Sequence, residues 1–185
     1  MTIEILTAIL VFITAIYVYL THKIALTSEK SVTAIKDQTE AMLRPYVVAE
    51  VYLRPNTPIL NLRIKNNGKS GAENLTLELE QDFFQLGNTE RNLKKLSAFS
   101  SKIDLLAPES ELVFILASAQ EIFSESEKSK LLPKKFTVTS SYSFGLKNFT
   151  EKHNIDLNPF LGATVVKDPL VEEIEKIRKL LEKNA

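Results

Sequence analysis

Two histidines, His22 and His153, and no cysteine are all that 185 residues offer for imidazole or thiolate chemistry. A zinc site built from Cys and His clusters needs more ligands than that, and a disulfide needs paired thiols, so both are excluded. Five glycines are present. They form neither a GxGxxG run nor a P-loop, which removes the backbone cradle for a phosphate. There is no GxSxG elbow to present a nucleophilic serine. His153 shares one side of an alternating stretch with Glu151 and Ile155. Imidazole beside carboxylate is the pairing a general base uses, but a lone histidine in a strand is ordinarily a packed or solvent-facing residue. The expectation is a chain with no catalytic, metal or cofactor site. A serine or carboxylate enzyme assembled only by folding would leave no pattern of this kind. Lys plus Arg and Asp plus Glu each total 23, so no net field gathers nucleic acid, and none is expected as a partner.

The elements that would position any site begin with an apolar run. Ile5 to Leu20 reads ILTAILVFITAIYVYL, without a charge and apolar on every side of a helical wheel. Ten of these residues are Leu, Ile, Val or Phe, which at about 0.3 to 0.6 kcal/mol each favour insertion by roughly 3 to 6 kcal/mol. A cleaved signal would want a basic segment before the run and small residues after it, and neither is present. Residues 1–21 therefore read as a transmembrane helix meeting lipid through Ile5 to Leu20. Lys23, Lys30 and Lys36 follow the span and no Lys or Arg precedes it. The positive-inside rule then puts the C-terminal domain in the cytoplasm.

Residues 22–44 lack Gly and Pro until Pro45 and read as a helical stalk. At seven-residue spacing, Thr7, Thr14, Thr21, Ser28, Ile35 and Met42 form one stripe, and Val11, Val18, Ala25, Val32 and Thr39 its companion. Small and β-branched residues at this period suit close helix contact, so a parallel homodimer through Thr14, Thr21, Ser28, Val32 and Ile35 is one expectation. A solvated spacer is the other.

From residue 45 to 161 the pattern alternates, with turn residues about every ten positions. Seven strands are expected: Tyr46 to Arg54, Ile59 to Asn66, Asn74 to Glu80, Lys102 to Leu106, Glu111 to Ala117, Phe136 to Phe144 and Asn148 to Leu157. The second and third, joined through Asn67, Gly68 and Gly71, are expected to pair as an antiparallel hairpin, with Arg63 and Lys65 facing Glu78 and Glu80. Leu112 to Ala117 is apolar on both faces, which suits a central strand or one covered by a helix. Ser118 and Glu121 make a capping box, and a short, solvated polar helix is expected from there to Pro133.

RPYVVAEVYL, NNGKSGAENLTLEL, LAPESELVFIL and the YSF strand together resemble a loose class of uncharacterised bacterial single-pass membrane proteins. The resemblance spans about residues 1 to 160. It implies an N-terminal anchor followed by an immunoglobulin-like antiparallel β-sandwich, mainly β, and supplies no catalytic residues.

Residues 162–185 read as a linker and an amphipathic helix. Asp168 and Pro169 form a start signal, and Leu170, Ile174, Ile177 and Leu181 follow a four-three-four spacing. Glu172 with Lys176 and Glu175 with Lys179 are expected pairs. About 15 residues of helix are marginal alone in water, so the stripe needs a surface. Packing back on the sandwich is the commonest outcome, with a second copy or a partner protein as the others. The whole reads as a membrane-tethered adaptor or scaffold without catalytic activity. An extracytoplasmic domain binding carbohydrate or envelope material is the alternative.

The chain should sediment with membranes and stay there in alkaline carbonate. Ile9→Arg with Ile13→Arg costs about 6 kcal/mol of insertion energy, enough to cancel the apolar gain, and should release it to the supernatant.

Overall fold

The computed structural model describes residues 2–165 and 168–184, without the side chains of residues 2, 4, 172, 175, 180, 181, 183 and 184. The chain divides between Leu43 and Arg44 into two units. In the first, helix α1 runs unbroken over Thr2–Leu43, 42 residues and so about 63 Å. Among the described residues it is the one helix long and apolar enough to cross a membrane, with a mean hydropathy of 2.0 over its most apolar 18-residue window. It ends where Pro45 disfavours a helical backbone at Arg44.

The second unit contains β1 (Val47–Leu53), β2 (Ile59–Asn66), β3 (Ala72–Leu79), β4 (Ile103–Leu106), β5 (Glu111–Ser118), β6 (Lys135–Phe144) and β7 (Lys147–Asp156). All seven expected strands are present. They pair antiparallel in two sheets, β1-β2-β5 and β4-β3-β6-β7. The apolar sides of both sheets meet in one core, where Leu60, Leu62 and Ile64 of β2 join Leu75, Leu77 and Leu79 of β3.

The expected hairpin of the second and third strands does not form. β2 pairs with β1 and β5, while β3 pairs with β4 and β6. Two strands with matching apolar sides can bury them side by side or across a sandwich, and alternation is the same in both cases. The connection through Asn67 and Gly68 is therefore a crossover between sheets. Arg63 bonds Glu50 of β1 (Nε–Oε1 2.8 Å) and lies 3.6 Å from Glu111, and Lys65 meets Glu109 at 2.6 Å. The expected partners Glu78 and Glu80 lie in and just after a strand of the other sheet.

β5 is an edge strand and not central, and among the described residues no helix covers its outer side, where Val113 and Ile115 are 44% and 40% exposed. Between β5 and β6, the capping box forms as expected: Ser118 Oγ accepts from Glu121 N, and Glu121 Oε2 accepts from Ser118 N. The helix it starts, α3, covers only Ala119–Phe123, after which a separate 3-10 turn runs over Glu127–Leu131. Ser124 Oγ donates to Glu121 O at 3.0 Å, a local bond that competes with helix continuation. Ile122 and Leu132 are both buried, so this connection is pinned into the core at each end and is not a free excursion.

The other long connection, between β3 and β4, carries Phe83 and Leu93, both fully buried, and the single-turn helix α2 over Ser97–Ser100. Phe83 packs on Phe136 at 5.3 Å between ring centroids. Phe99 of α2 packs on Phe114 of β5 at 5.2 Å, closing the side of the sandwich where β5 would otherwise end in solvent.

Asn66, at the end of β2, is fully buried and uses its whole carboxamide. Oδ1 accepts from Tyr46 N (3.1 Å) and Gly68 N (3.0 Å), and Nδ2 donates to Ser70 O (2.7 Å) and Leu106 O (3.0 Å). One side chain thus joins the entry to β1, the β2–β3 crossover and the end of β4. Gly68 is required beside it, because a Cβ there would lie 2.5 Å from Arg44 O, Pro45 Cα and Tyr46 N.

A second joint ties the entry of β1 to the other sheet. Tyr142 Oη donates to Pro45 O at 3.1 Å and stands 3.3 Å from Glu151 Oε1. Arg44 lies 3.7 Å from the same carboxylate and 5.2 Å above the Phe149 ring, which stacks on Tyr142. His153 Nε2 lies 3.0 Å from Val47 O, so that nitrogen carries the proton and donates. Burial, and then the nearby Glu151 charge, push the Tyr142 hydroxyl up to about 12.

Asn66→Ala strands up to four buried backbone groups and should cost about 3 kcal/mol in urea unfolding of the detergent-solubilised chain, against under about 0.5 kcal/mol for the exposed Asn154→Ala. Because the folded state holds the Tyr142 proton more tightly than the unfolded chain, its contribution is complete below pH 10 and is lost as pH rises through about 12. Tyr142→Phe should flatten the fall in melting temperature across that window, and an unchanged slope would contradict the assignment.

Candidate partner-binding surface

The residues marked on α1 are all exposed in the single chain: Thr14, Thr21, Ser28, Val32 and Ile35. Thr14 Oγ1 donates to Leu10 O at 2.8 Å and Thr7 Oγ1 to Ile3 O at 2.9 Å. Thr27, Ser31, Thr33 and Thr39 bond back one turn in the same way. In each of these the hydroxyl proton is used within its own helix.

Apart from Val113 and Ile115, the outer faces of the sandwich carry polar groups paired with one another. On the β1-β2-β5 sheet, Arg63 is held by Glu50 and Glu111 and covers the Tyr52 ring at 5.0 Å. On the other sheet, Ser141 bonds Thr150 (3.1 Å), Thr137 donates to Asn154 Oδ1 (3.1 Å) and Asn74 donates to Ser143 Oγ (2.9 Å). A shallow groove of about 400 Å³ runs over Lys135, Thr137, Asn154 and Asp156. Its charges already meet each other, Lys135 lying 3.0 Å from Asp156.

Among the described residues, three carboxylates lie below their ordinary range. The Asn92 amide and then Lys94 lower Asp82, Lys65 lowers Glu109, and the Asn158 backbone N–H and then Lys135 lower Asp156. Among the described residues no group of three or more His, Asp or Glu is placed to hold a metal ion. His153 is occupied by the Val47 carbonyl.

The C-terminal segment behaves differently. Helix α4 spans Pro169–Asn184, and Asp168 caps it, its Oδ1 accepting from Leu170 N at 2.8 Å. Asp168 N also donates to Asn56 Oδ1 at 2.9 Å, hanging the helix from the β1–β2 turn. Leu170, Ile174 and Ile177 are 69%, 56% and 57% exposed. These three side chains are therefore not packed on the sandwich. Much of the outer surface of both sheets is polar and internally bonded, which leaves the stripe little apolar surface beyond Val113 and Ile115.

The side chain of Leu181, the fourth stripe residue, lies outside the described residues, as do those of Glu172 and Glu175 and with them the two expected pairs. The pairs present are Lys176 with Glu173 (2.6 Å) and Arg178 with Glu182 (2.7 Å). Val113 and Ile115 on the β5 edge are a smaller apolar surface that the sequence pattern assigned to the interior.

No curated protein and no solved structure matches the chain. A family model does match, over residues 2–161, taking in α1 and all seven strands and stopping short of α4: the chain belongs to the family described as a domain of unknown function, DUF8453.

Proposed function

We propose that this chain is a single-pass membrane protein whose immunoglobulin-like sandwich and terminal helix form a protein-interaction module, working by binding and not by catalysis. The observation that carries the reading is the uncovered stripe of Leu170, Ile174 and Ile177 on a helix that is capped and tied to the sandwich. A stripe of large aliphatic side chains in water marks a contact surface awaiting its other half. Helix α1 supports the same reading, since a helix long and apolar enough to cross a membrane would hold the module at its surface.

Strand order supports the immunoglobulin-like description. The sheets β1-β2-β5 and β4-β3-β6-β7 keep the first, second and fifth strands opposite the third, sixth and seventh, while the fourth edges the second sheet where the constant-type arrangement has it in the first. Lys23, Lys30 and Lys36 after the span favour a cytoplasmic module at the cell membrane. A second reading, an extracytoplasmic domain for carbohydrate or envelope material, draws on the hydroxyl and amide groups of Thr137, Ser141, Thr150 and Asn154, which line one sheet face. It requires the opposite topology.

A fluorescent protein fused after Ala185 should be fluorescent and alkaline phosphatase fused there inactive; the reverse would replace the cytoplasmic reading with the second. A photocrosslinker at Ile177 should form protein adducts in intact membranes, and one at Lys179, on the opposite side of α4, should form far fewer. Equal labelling at both positions would remove the interaction surface.

A further inference from the structure

The charges beside the apolar stripe specify what covers it. In heptad terms Leu170 and Ile177 take d positions, and Ile174 and Leu181 take a positions. Glu173 then falls at g and Arg178 at e, the two places that flank the seam of a coiled coil. In a parallel pair, g of one heptad lies beside e of the next on the facing helix, so each copy's Glu173 meets the other's Arg178, twice by symmetry. An antiparallel pair sets e against e and g against g, which places Arg178 beside Val171 and leaves both charges without opposite partners.

We propose that the partner of α4 is α4 of a second copy of this chain, joined in a parallel seam through Leu170, Ile174 and Ile177 and registered by Glu173 with Arg178. The proposal deepens the interaction-module reading and rests on it. In the single chain Glu173 and Arg178 bond Lys176 and Glu182, one turn away on exposed ground, so both can exchange partners at little cost. A seam of about two heptads is too short to hold in dilute solution. Confinement by α1 changes that, because copies inserted in one membrane share a direction and a high local concentration. The seam is therefore expected in membranes.

The absence of native cysteine makes the test clean. In full-length chain in membranes, Ile174→Cys and Ile177→Cys should give interchain disulfide at about five-fold or more the yield of Lys179→Cys, which lies on the opposite side of the helix. Glu173→Arg or Arg178→Glu should each lower the Ile174→Cys yield, and the two together should restore it, an outcome that misfolding does not produce. Equal yields at positions 174 and 179, a preference for 174-to-177 pairs over 174-to-174 pairs, or failure of the double exchange to restore would each overturn the proposal. Adducts of Ile174→Cys with a different protein and none with itself would overturn the second copy while leaving the interaction module standing.

Discussion

The sandwich depends on how one chain changes sheets, and the carboxamide of Asn66 is where that change is made. A crossover between stacked sheets breaks the backbone ladder, and each group left over must be bonded or lie in water. Here the leftover groups are the N–H of Tyr46 and Gly68 and the carbonyls of Ser70 and Leu106, from segments far apart in sequence. A single amide offers two acceptor and two donor sites, which is the number required. Its backbone contributes as well, accepting from Glu109 N and donating to Ser110 O, so the β4–β5 turn is held by the same residue. Beside it Gly68 admits the strand entry at a distance no other residue allows.

Much of the fold was legible because side-chain alternation responds to burial. Seven strands, their approximate ends, the capping box at Ser118 and the start of α4 at Asp168 all follow from local chemistry. Pairing was not legible. β2 and β3 are adjacent in sequence, separated by turn residues and complementary in charge, and all of those signals are equally at home in a strand that hands over to the opposite sheet. The outward pair Val113 and Ile115 misled in the other direction, since two apolar faces suggested a covered strand and β5 sits at an edge. Phe83 and Leu93 were illegible for a different reason. Single apolar residues in a polar connection have no period, yet both are fully buried.

The candidate surface was legible as a pattern and not as an outcome. Spacing marked Leu170, Ile174 and Ile177, but nothing in spacing says that they stay exposed beside sheet faces whose polar groups are largely bonded to one another. On α1 the case is reversed. The stripe containing Thr14, Thr21 and Ser28 is visible in spacing, while Thr14, bonded to its own helix, gains nothing specific from a neighbour.

The clasp at the entry of β1 gives the sandwich a mechanical property. Arg44 directly follows the long helix, so tension along the polypeptide from that end reaches β1 first. Were β1 held by β2 alone, its ladder bonds would break one after another, as a zip opens. Tyr142 and His153 instead grip Pro45 and Val47 from β6 and β7, and pulling on the first strand also loads the longest hairpin of the opposite sheet. Both layers share the strain, and yielding requires several bonds to fail together.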